Sequence, residues 1–203
     1  MADELRGHCS DIVYGDGNQS YFYFDNNETR TRYIGLSSFG LFVNSAYESC
    51  YLSEQLEWLK NTALNVQKGW SVVIFTHSLY HVERMSNKLS KGLSGASDFI
   101  AAIDEYRGNG TIISVLMGHS HRDRIHIGTS GIPYIISVCD CHSAYDGDIN
   151  VYRTPGTITE QHLEAVVIDK EKRKIKLFSI GSNARDGYDD DPGAEVDVRT
   201  VCY

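Results

Sequence analysis

The sequence predicts a mixed α/β fold in which a largely parallel sheet is combined with β-hairpins. Two continuous apolar runs, "WSVVIFTHS" at 70–78 and "TIISVLMGHSH" at 111–121, are typical of strands that are covered on both faces. A segment with helical periodicity precedes each run, and alternating segments of hairpin type follow the second. This order of elements indicates one mixed sheet rather than separate helical and β domains.

The first elements are a hairpin, a helix and a buried strand. "QSYFYFDNNETRTRYIGLSS" (19–38) alternates aromatic and polar residues around a turn-prone Asp25-Asn26-Asn27, which predicts a hairpin whose second strand ends at Ser37-Ser38. "SEQLEWLKNTALNVQ" (53–67) predicts a helix that is capped by Ser53 and closed by Gly69. The apolar strand that follows has His77 at its carboxyl end.

A second helix and a second buried strand follow a polar loop. The loop covers 82–96, and "SDFIAAIDEYRGNG" (97–110) predicts a helix capped by Ser97 and stopped by glycine. The strand at 111–121 then ends in His119 and His121.

The last third of the chain predicts two hairpins and a tail. "RIHIGTSGIPYIISV" (124–138) turns at Ser130-Gly131, and "EAVVIDKEKRKIKLFSIG" (164–181) turns at Lys170 to Arg173. Residues 183–203, which include "GYDDDPG", are expected to form an extended or irregular tail.

Size and composition favour a single globular domain over 1–203. Hydrophobic residues make up 41% and charged residues 23% of the 203 residues. A net charge of -8 argues against a general affinity for nucleic acid, and small molecules or protein partners are expected instead. No apolar stretch approaches the roughly 20 residues that span a bilayer, and "MADELRGHCSDI" has no signal-peptide pattern. We therefore expect a cytoplasmic protein without membrane association.

Five cysteines, an odd number without paired C-x-x-C spacing, indicate reduced thiols rather than a zinc ribbon. They are Cys9, Cys50, Cys139, Cys141 and Cys202. Because Cys139 and Cys141 flank Asp140 at the end of an apolar run, a role as metal ligands is the alternative to buried structural thiols.

Three histidines follow two predicted strands. Open α/β sheets bind ligands beyond the carboxyl ends of their strands, so His77, His119 and His121 are expected to converge. Neutral imidazole is a ligand for zinc, iron and manganese, and Gly118 permits a sharp backbone turn before His119. The alternative is three solvated histidines in surface loops.

The motifs "IFTHS" and "MGHSH" resemble the second half of the calcineurin-like metallophosphoesterases. The family pattern runs D-x-H, G-D-x-x-D, G-N-H-[D/E], then H, then G-H-x-H. "QLEWLK", "GIPYIISVCDC" and "GTITEQHLEAVVID" are also similar to bacterial and phage-encoded members, so the resemblance covers roughly Tyr21 to Gly181. It implies the C-terminal part of a calcineurin-like α/β/β/α sandwich and a hydrolase acting on phosphate esters.

The resemblance also implies which residues bind metal. His77 and His119 would bind one divalent ion, and His121 the other, with zinc, manganese or iron as the metal. A bridging aspartate, an asparagine and a D-x-H pair complete the site in the family, but none of the three N-terminal motifs precedes His77. We therefore expect the chain to begin just after the position of the G-N-H motif in the family pattern and to carry half of a dinuclear metal site. The catalytic residue is unknown.

Two segments imitate the missing motifs. "YGDGNQS" (14–20) contains Gly-Asp and Gly-Asn, but it is interpreted as a turn because no histidine or second aspartate follows at the required spacing. Asp140-Cys141-His142 has the letters of D-x-H, so a circularly permuted site with Asp140 or His142 near the metal is a further alternative. His81 and His126 are candidates for substrate-facing positions.

Two functional hypotheses remain. The first is a metal-dependent phosphoesterase whose missing ligands come from another chain or another segment. The second is a catalytically inactive module with the same fold, kept for binding or assembly. Either hypothesis leaves an apolar face or a sheet edge without its usual cover, which predicts a homo-oligomer, most simply a dimer.

Overall fold

The computed structural model describes residues 11–17, 20–43, 46–49, 51–79, 95–119, 124–137, 145–146, 149–150, 156–157, 160–181 and 196–203. Its strands are β1 (Val13–Tyr14), β2 (Phe22–Asn26), β3 (Thr31–Gly35), β4 (Phe39–Val43), β5 (Ala46–Ser49), β6 (Ser71–Phe75), β7 (Thr111–Met117), β8 (Arg124–Ile127), β9 (Pro133–Ile136), β10 (Tyr145–Asp146), β11 (Ile149–Asn150), β12 (His162–Asp169), β13 (Lys174–Gly181) and β14 (Val196–Cys202). The helices are α1 (Ser53–Trp58), continued by a π-helical turn at Leu59–Ala63, and α2 (Ala96–Asp104).

A mixed sheet forms the centre of the molecule. Within the described ranges it has seven strands in the order β1-β2-β3-β6-β7-β9-β8. The inner strands β3, β6, β7 and β9 are parallel to one another, whereas β1, β2 and β8 add antiparallel pairs at the two edges. The carboxyl ends of four neighbouring strands therefore lie at one end of the sheet. This confirms the mixed α/β fold that the buried runs and hairpins predict.

Both α-helices cover one face of this sheet. Side chains that alternate along the strands point to that face and pack with Leu56, Leu59, Phe99 and Ile103 of the helical segments. The strand residues in this core include Ile34, Val72, Ile74, Ile112 and Val115. Most residues of the runs "SVVIF" and "TIISVLM" are thus buried within the chain itself, and the exposed ones are Phe75 and Thr111.

A three-stranded antiparallel sheet, in the order β12-β13-β14, covers part of the opposite face. Ile175 and Leu177 of β13 pack against Ile135 of β9, with Leu116 and Ile125 beside them. The layers are therefore helices, large sheet and small sheet. The fourth, helical layer of the expected α/β/β/α sandwich is not seen in the described residues, because both α-helices there belong to the first core.

Arg32 connects the β2–β3 hairpin to the helical layer through hydrogen bonds. Its guanidinium donates to both carboxylate oxygens of Asp25, at 2.7 and 2.8 Å, and to the carbonyl of Ala63 at 3.1 Å. It also lies 3.8 Å from the centre of the Tyr23 ring. The last carbonyls of a helix have no partner inside the helix, so Arg32 satisfies one of them where the π-helical turn ends.

The helix boundaries differ from those predicted. Leu52 rather than Ser53 occupies the N-cap position, and regular structure ends at Ala63, well before Gly69. The second helix starts two residues earlier than expected, with Gly95 rather than Ser97 at its N-cap, and it stops at Asp104. Gly95 has φ +80°, a conformation that favours glycine, so backbone geometry sets this start and a side-chain cap does not.

The predicted hairpins are present, with one shifted turn. Asp25 and Asn26 belong to β2 and pair with β3, so the first turn lies after them, and β3 ends at Gly35. The hairpins β8–β9 and β12–β13 turn where the sequence predicts, and Gly131 has φ +85° in the former.

The chain end is part of the small sheet. Val196–Cys202 pairs along β13 from Ile180 to Lys174, so this part of the expected tail is a regular strand rather than a free arm. Residues 82–94 of the loop predicted at 82–96 lie outside the described ranges. No helix in the described part of the chain has the length and apolarity to cross a bilayer.

Candidate metal centre

Hydrogen bonds carry the parallel ladder past the ends of β6 and β7. The amide of Thr76 donates to the carbonyl of Leu116, and the amide of Gly118 donates to the carbonyl of His77, both at 3.0 Å. His77 is therefore held directly opposite Gly118, next to His119. Two residues that are 42 positions apart in sequence become neighbours because their strands pair in this register.

The two imidazoles meet through ring nitrogens. Nδ1 of His119 lies 3.3 Å from Nε2 of His77, and the ring planes are inclined by 77°. Both side chains are exposed, so a ligand can reach them from solvent. Without a ligand the same contact is a hydrogen bond in which one neutral ring donates to the other, the tautomer deciding which.

His119 has an unusual backbone conformation. Its φ is +73°, in the left-handed region that residues with a Cβ adopt at a cost of about 1–2 kcal/mol. Such strain persists only where the surroundings hold the backbone, and it is concentrated at functional sites. The conformation follows directly after Gly118, at the point where the ladder with His77 ends.

Tyr51, which no sequence motif indicates, fixes the segment around His77. Its buried hydroxyl lies 2.6 Å from Oγ1 of Thr76 and donates to the carbonyl of Ser78 at 2.7 Å. The ring stacks on Phe99 of α2, with centroids 5.0 Å apart. Because Thr76 and Ser78 are 25 and 27 positions away from Tyr51 in sequence, no local motif identifies this tyrosine as a positioning residue.

The histidine pair has the spacing of two ligands on one metal ion. Two nitrogens that are each roughly 2.0–2.1 Å from a tetrahedral zinc lie about 3.3–3.4 Å apart. The observed 3.3 Å between the ring nitrogens of His77 and His119 matches this distance. Within the described residues, no group of three histidine, cysteine, aspartate or glutamate side chains surrounds the pair or any other point. The described part of the chain therefore offers an imidazole pair without a carboxylate.

Several predicted site residues lie outside the described ranges. These are His121, His81, Asp140, His142 and the cysteines other than Cys202, which is exposed and free. Their roles as ligands stay predictions.

Two further candidates lie away from the pair. His126 is half-buried on β8, with its ring 6.2 Å from that of Tyr134, a residue of the helix-side core. The described residues of the segment that imitates the aspartate motif make turn contacts: Oδ1 of Asp16 accepts the amide of Ser20 at 2.9 Å, and the amide of Gly15 donates to the carbonyl of Tyr21.

An open apolar cavity of about 380 Å³ adjoins His77. Its walls include Phe22, Phe75 and Leu116, and none of its lining residues is charged. Gly35 forms part of the floor, where a Cβ would lie 2.8 Å from the Phe22 ring. The histidine pair thus stands between solvent and an apolar surface of the large sheet.

The comparisons with known proteins identify the fold. No protein-family model and no curated protein matches the sequence. Among solved structures, the chain is similar to a dimetal phosphatase from Danio rerio, with a TM-score of 0.55 and 12% sequence identity over 90% of this chain. The chain spans 60% of the length of that phosphatase. The likeness shows a calcineurin-like α/β fold, in agreement with the fold class that the sequence predicts.

Proposed function

We propose that this chain carries the histidine half of a dinuclear metallophosphoesterase site that hydrolyses phosphate esters. The observation that supports the proposal is the contact between His77 and His119 at the carboxyl ends of two adjacent parallel strands. The ligand-like spacing of the pair, its exposure and the strained backbone of His119 occur at the carboxyl ends of the strands, where open α/β sheets bind their ligands.

The residues have separable roles in this proposal. Nε2 of His77 and Nδ1 of His119 would hold a divalent zinc, manganese or iron ion, and His121 would bind a second. A bound divalent cation supplies positive charge for the phosphate oxygens in the transition state. Tyr51 keeps the His77 segment in place through Thr76 and Ser78, so the imidazole is preorganised before a ligand arrives.

The charge of two divalent metal ions explains why the proposal includes metal ligands from a second source. Two divalent ions about 4 Å apart repel each other, and neutral imidazoles do not offset this repulsion. The described residues near the pair supply no carboxylate cluster, so the remaining ligands are assigned to another chain or another segment. A phosphate ester is the substrate of the completed site.

Metal titration tests the histidine half. Isothermal titration of the chain with zinc is expected to show binding that His77→Ala and His119→Ala each weaken by at least about tenfold. His126→Ala is the matched control, because this histidine lies on β8 against Tyr134 and away from the pair. Equal loss of binding in all three variants, or no zinc binding by the wild-type chain, would reject the proposed metal site and favour the non-catalytic module.

Hydrolysis of an aryl phosphate tests whether the site is a half-site. The isolated chain with zinc, manganese or iron is expected to show negligible turnover, because no bridging carboxylate is available from the described residues. Metal-dependent turnover that His119→Ala abolishes would instead show that the chain holds a complete site, with Asp140 as the first residue to examine as a ligand.

A further inference from the structure

A row of paired residues crosses four strands of the large sheet just before the histidine pair. Phe22 of β2 pairs with Gly35 of β3, and Gly35 pairs with Phe75 of β6. Phe75 in turn pairs with Leu116 of β7. Residues that pair across strands direct their side chains to the same face of the sheet, so two phenyl rings and a leucine flank a position without a side chain.

This row lines the open cavity of about 380 Å³ that adjoins His77. The Phe22 ring lies over Gly35, where a Cβ would be only 2.8 Å from the ring. On the other side of the glycine, Phe75 is 41% exposed, whereas the other residues of β6 are buried. The sheet thus presents two aromatic rings to a space that solvent can enter.

The cavity and the proposed metal site share His77. This histidine lies two residues beyond Phe75, so its side chain follows about 6.6 Å further along the same face of the sheet. The imidazole itself lines the cavity, and its Nε2 meets Nδ1 of His119 at 3.3 Å. A phosphate on a metal ion at the histidine pair and a ring beside Phe75 are therefore close enough to be joined by a single ester oxygen.

The residues that line the cavity select the chemistry of the second group. Among the described lining residues none is charged, and the hydroxyl of Thr76 is already hydrogen-bonded to Tyr51. A sugar or a charged alcohol would lose its hydration there without gaining equivalent hydrogen bonds. An aromatic ring loses little hydration, buries apolar surface and finds Phe22 and Phe75 as partners for stacked or edge-to-face contacts.

We propose that this cavity, lined by the row from Phe22 to Leu116 and by His77, binds the aromatic leaving group of the substrate, which makes aryl phosphates the preferred class of ester. The inference rests on the proposed function, because the metal ion at the histidine pair is what positions the phosphate. A volume of about 380 Å³ lies in the range of small-molecule sites and exceeds the space that a single benzene ring needs, so bicyclic aryl groups also fit.

Binding of two phosphonates to the zinc-loaded full chain tests the inference without requiring turnover. Phenylphosphonate and methylphosphonate carry the same anionic group, and neither contains an ester bond to hydrolyse. Isothermal titration is expected to show that phenylphosphonate binds at least about tenfold more tightly, because only its ring reaches the cavity. Zinc titration of the same sample reports the metal site separately.

Two substitutions change the cavity in opposite ways. Phe75→Ala removes one wall, whereas Gly35→Ala places a methyl group against the Phe22 ring and reduces the space. Each is expected to lower the preference for phenylphosphonate to less than about threefold, while the affinities for zinc and methylphosphonate stay close to those of the wild type. Ile127→Ala on β8 is the matched control, because Ile127 is 49% exposed and does not line the cavity.

The outcomes distinguish the inference from the proposed function. Zinc binding with equal affinity for the two phosphonates, or without phenylphosphonate binding, overturns the inference and leaves the proposed metal site in place. So does a preference that both cavity variants retain, or one that Ile127→Ala abolishes equally. A chain that binds no zinc overturns the proposed function and the inference together. Circular dichroism checks the fold of each variant, and Phe75→Ala, at an exposed position, decides the test if Gly35→Ala is unfolded.

Discussion

The hydroxyl of Tyr51 lies 2.6 Å from Oγ1 of Thr76, although the two residues are 25 positions apart. The same hydroxyl donates to the carbonyl of Ser78. One buried side chain thus contacts both neighbours of His77 and connects the strand end that carries His77 to α2 through its stacking on Phe99.

Removal of this hydroxyl is expected to loosen His77. Tyr51→Phe leaves the buried Thr76 hydroxyl and Ser78 carbonyl with one partner fewer, which should lower the free energy of unfolding by about 1–3 kcal/mol. Zinc affinity should fall as well. Denaturant unfolding and zinc titration measure the two effects.

Tyr106→Phe is the matched control. Its hydroxyl also donates to a backbone carbonyl, that of Leu64 at 3.1 Å, but it lies at the other end of the helical layer. This variant should be destabilised without a loss of zinc affinity. Parallel losses in both variants would contradict a positioning role for Tyr51.

The positive φ of His119 predicts that glycine and alanine substitutions at this position have the reverse of their usual order of stability. In metal-free protein, His119→Gly should be more stable than His119→Ala by about 1 kcal/mol, because only glycine adopts this conformation without steric cost. At His126, whose φ is not among the positive values, glycine should be the less stable of the same two replacements. Thermal or urea unfolding of the four variants checks the order, and the same order at both positions would argue against strain at His119.

Arg32 should not be replaceable by lysine. Arg32→Lys keeps the charge but loses the fork that contacts both Asp25 oxygens and the Ala63 carbonyl, so a destabilisation of about 1–3 kcal/mol is expected. Arg107→Lys is the control, because Arg107 is exposed and bonds only to nearby carbonyls of its own turn. Urea unfolding measures both, and equal effects would contradict the prediction.

The turn of the β12–β13 hairpin should weaken in acid. The backbone amide of Lys172, and then its ammonium group, hold the pKa of Asp169 below the ordinary range of an aspartate. Because the folded-state pKa is the lower one, the stabilisation is complete above the unfolded-state pKa and is lost as pH falls through the folded-state pKa.

Asp169→Asn should therefore abolish this part of the acid dependence and leave the stability near neutral pH lower than that of the wild type. A carboxyl titration by NMR reports the pKa of Asp169 directly. A value at or above that of an unstructured aspartate would contradict the prediction.

The sequence predicts the large sheet well because the patterns that indicate its strands and turns are local. Continuous apolar runs identify β6 and β7, and the glycine at Gly131 identifies a hairpin turn. The same runs place His77 and His119 at strand ends, where the structure brings them together; that they bind metal stays a prediction.

Long-range contacts account for what the sequence does not predict. The partners of Tyr51 depend on how α2 packs on the sheet, and nothing near Tyr51 in sequence indicates them. The sequence of β14 alternates polar and apolar residues as a strand does, but it follows an acidic segment and no neighbouring segment indicates a partner strand. Its pairing with β13 is a long-range contact that the local sequence does not predict. In β12 the alternation of polar and apolar residues does not predict which face is buried, because the apolar residues of one end face outward.

The separation of 42 residues between His77 and His119 has a consequence for folding kinetics. Parallel pairing of β6 with β7 requires a closed crossover, and non-local contacts of this kind form slowly because the entropy of loop closure is lost before they are gained. The imidazole pair cannot exist before that step. A zinc ion that needs both rings would thus bind after the transition state for this pairing, so it should slow unfolding while leaving the refolding rate almost unchanged.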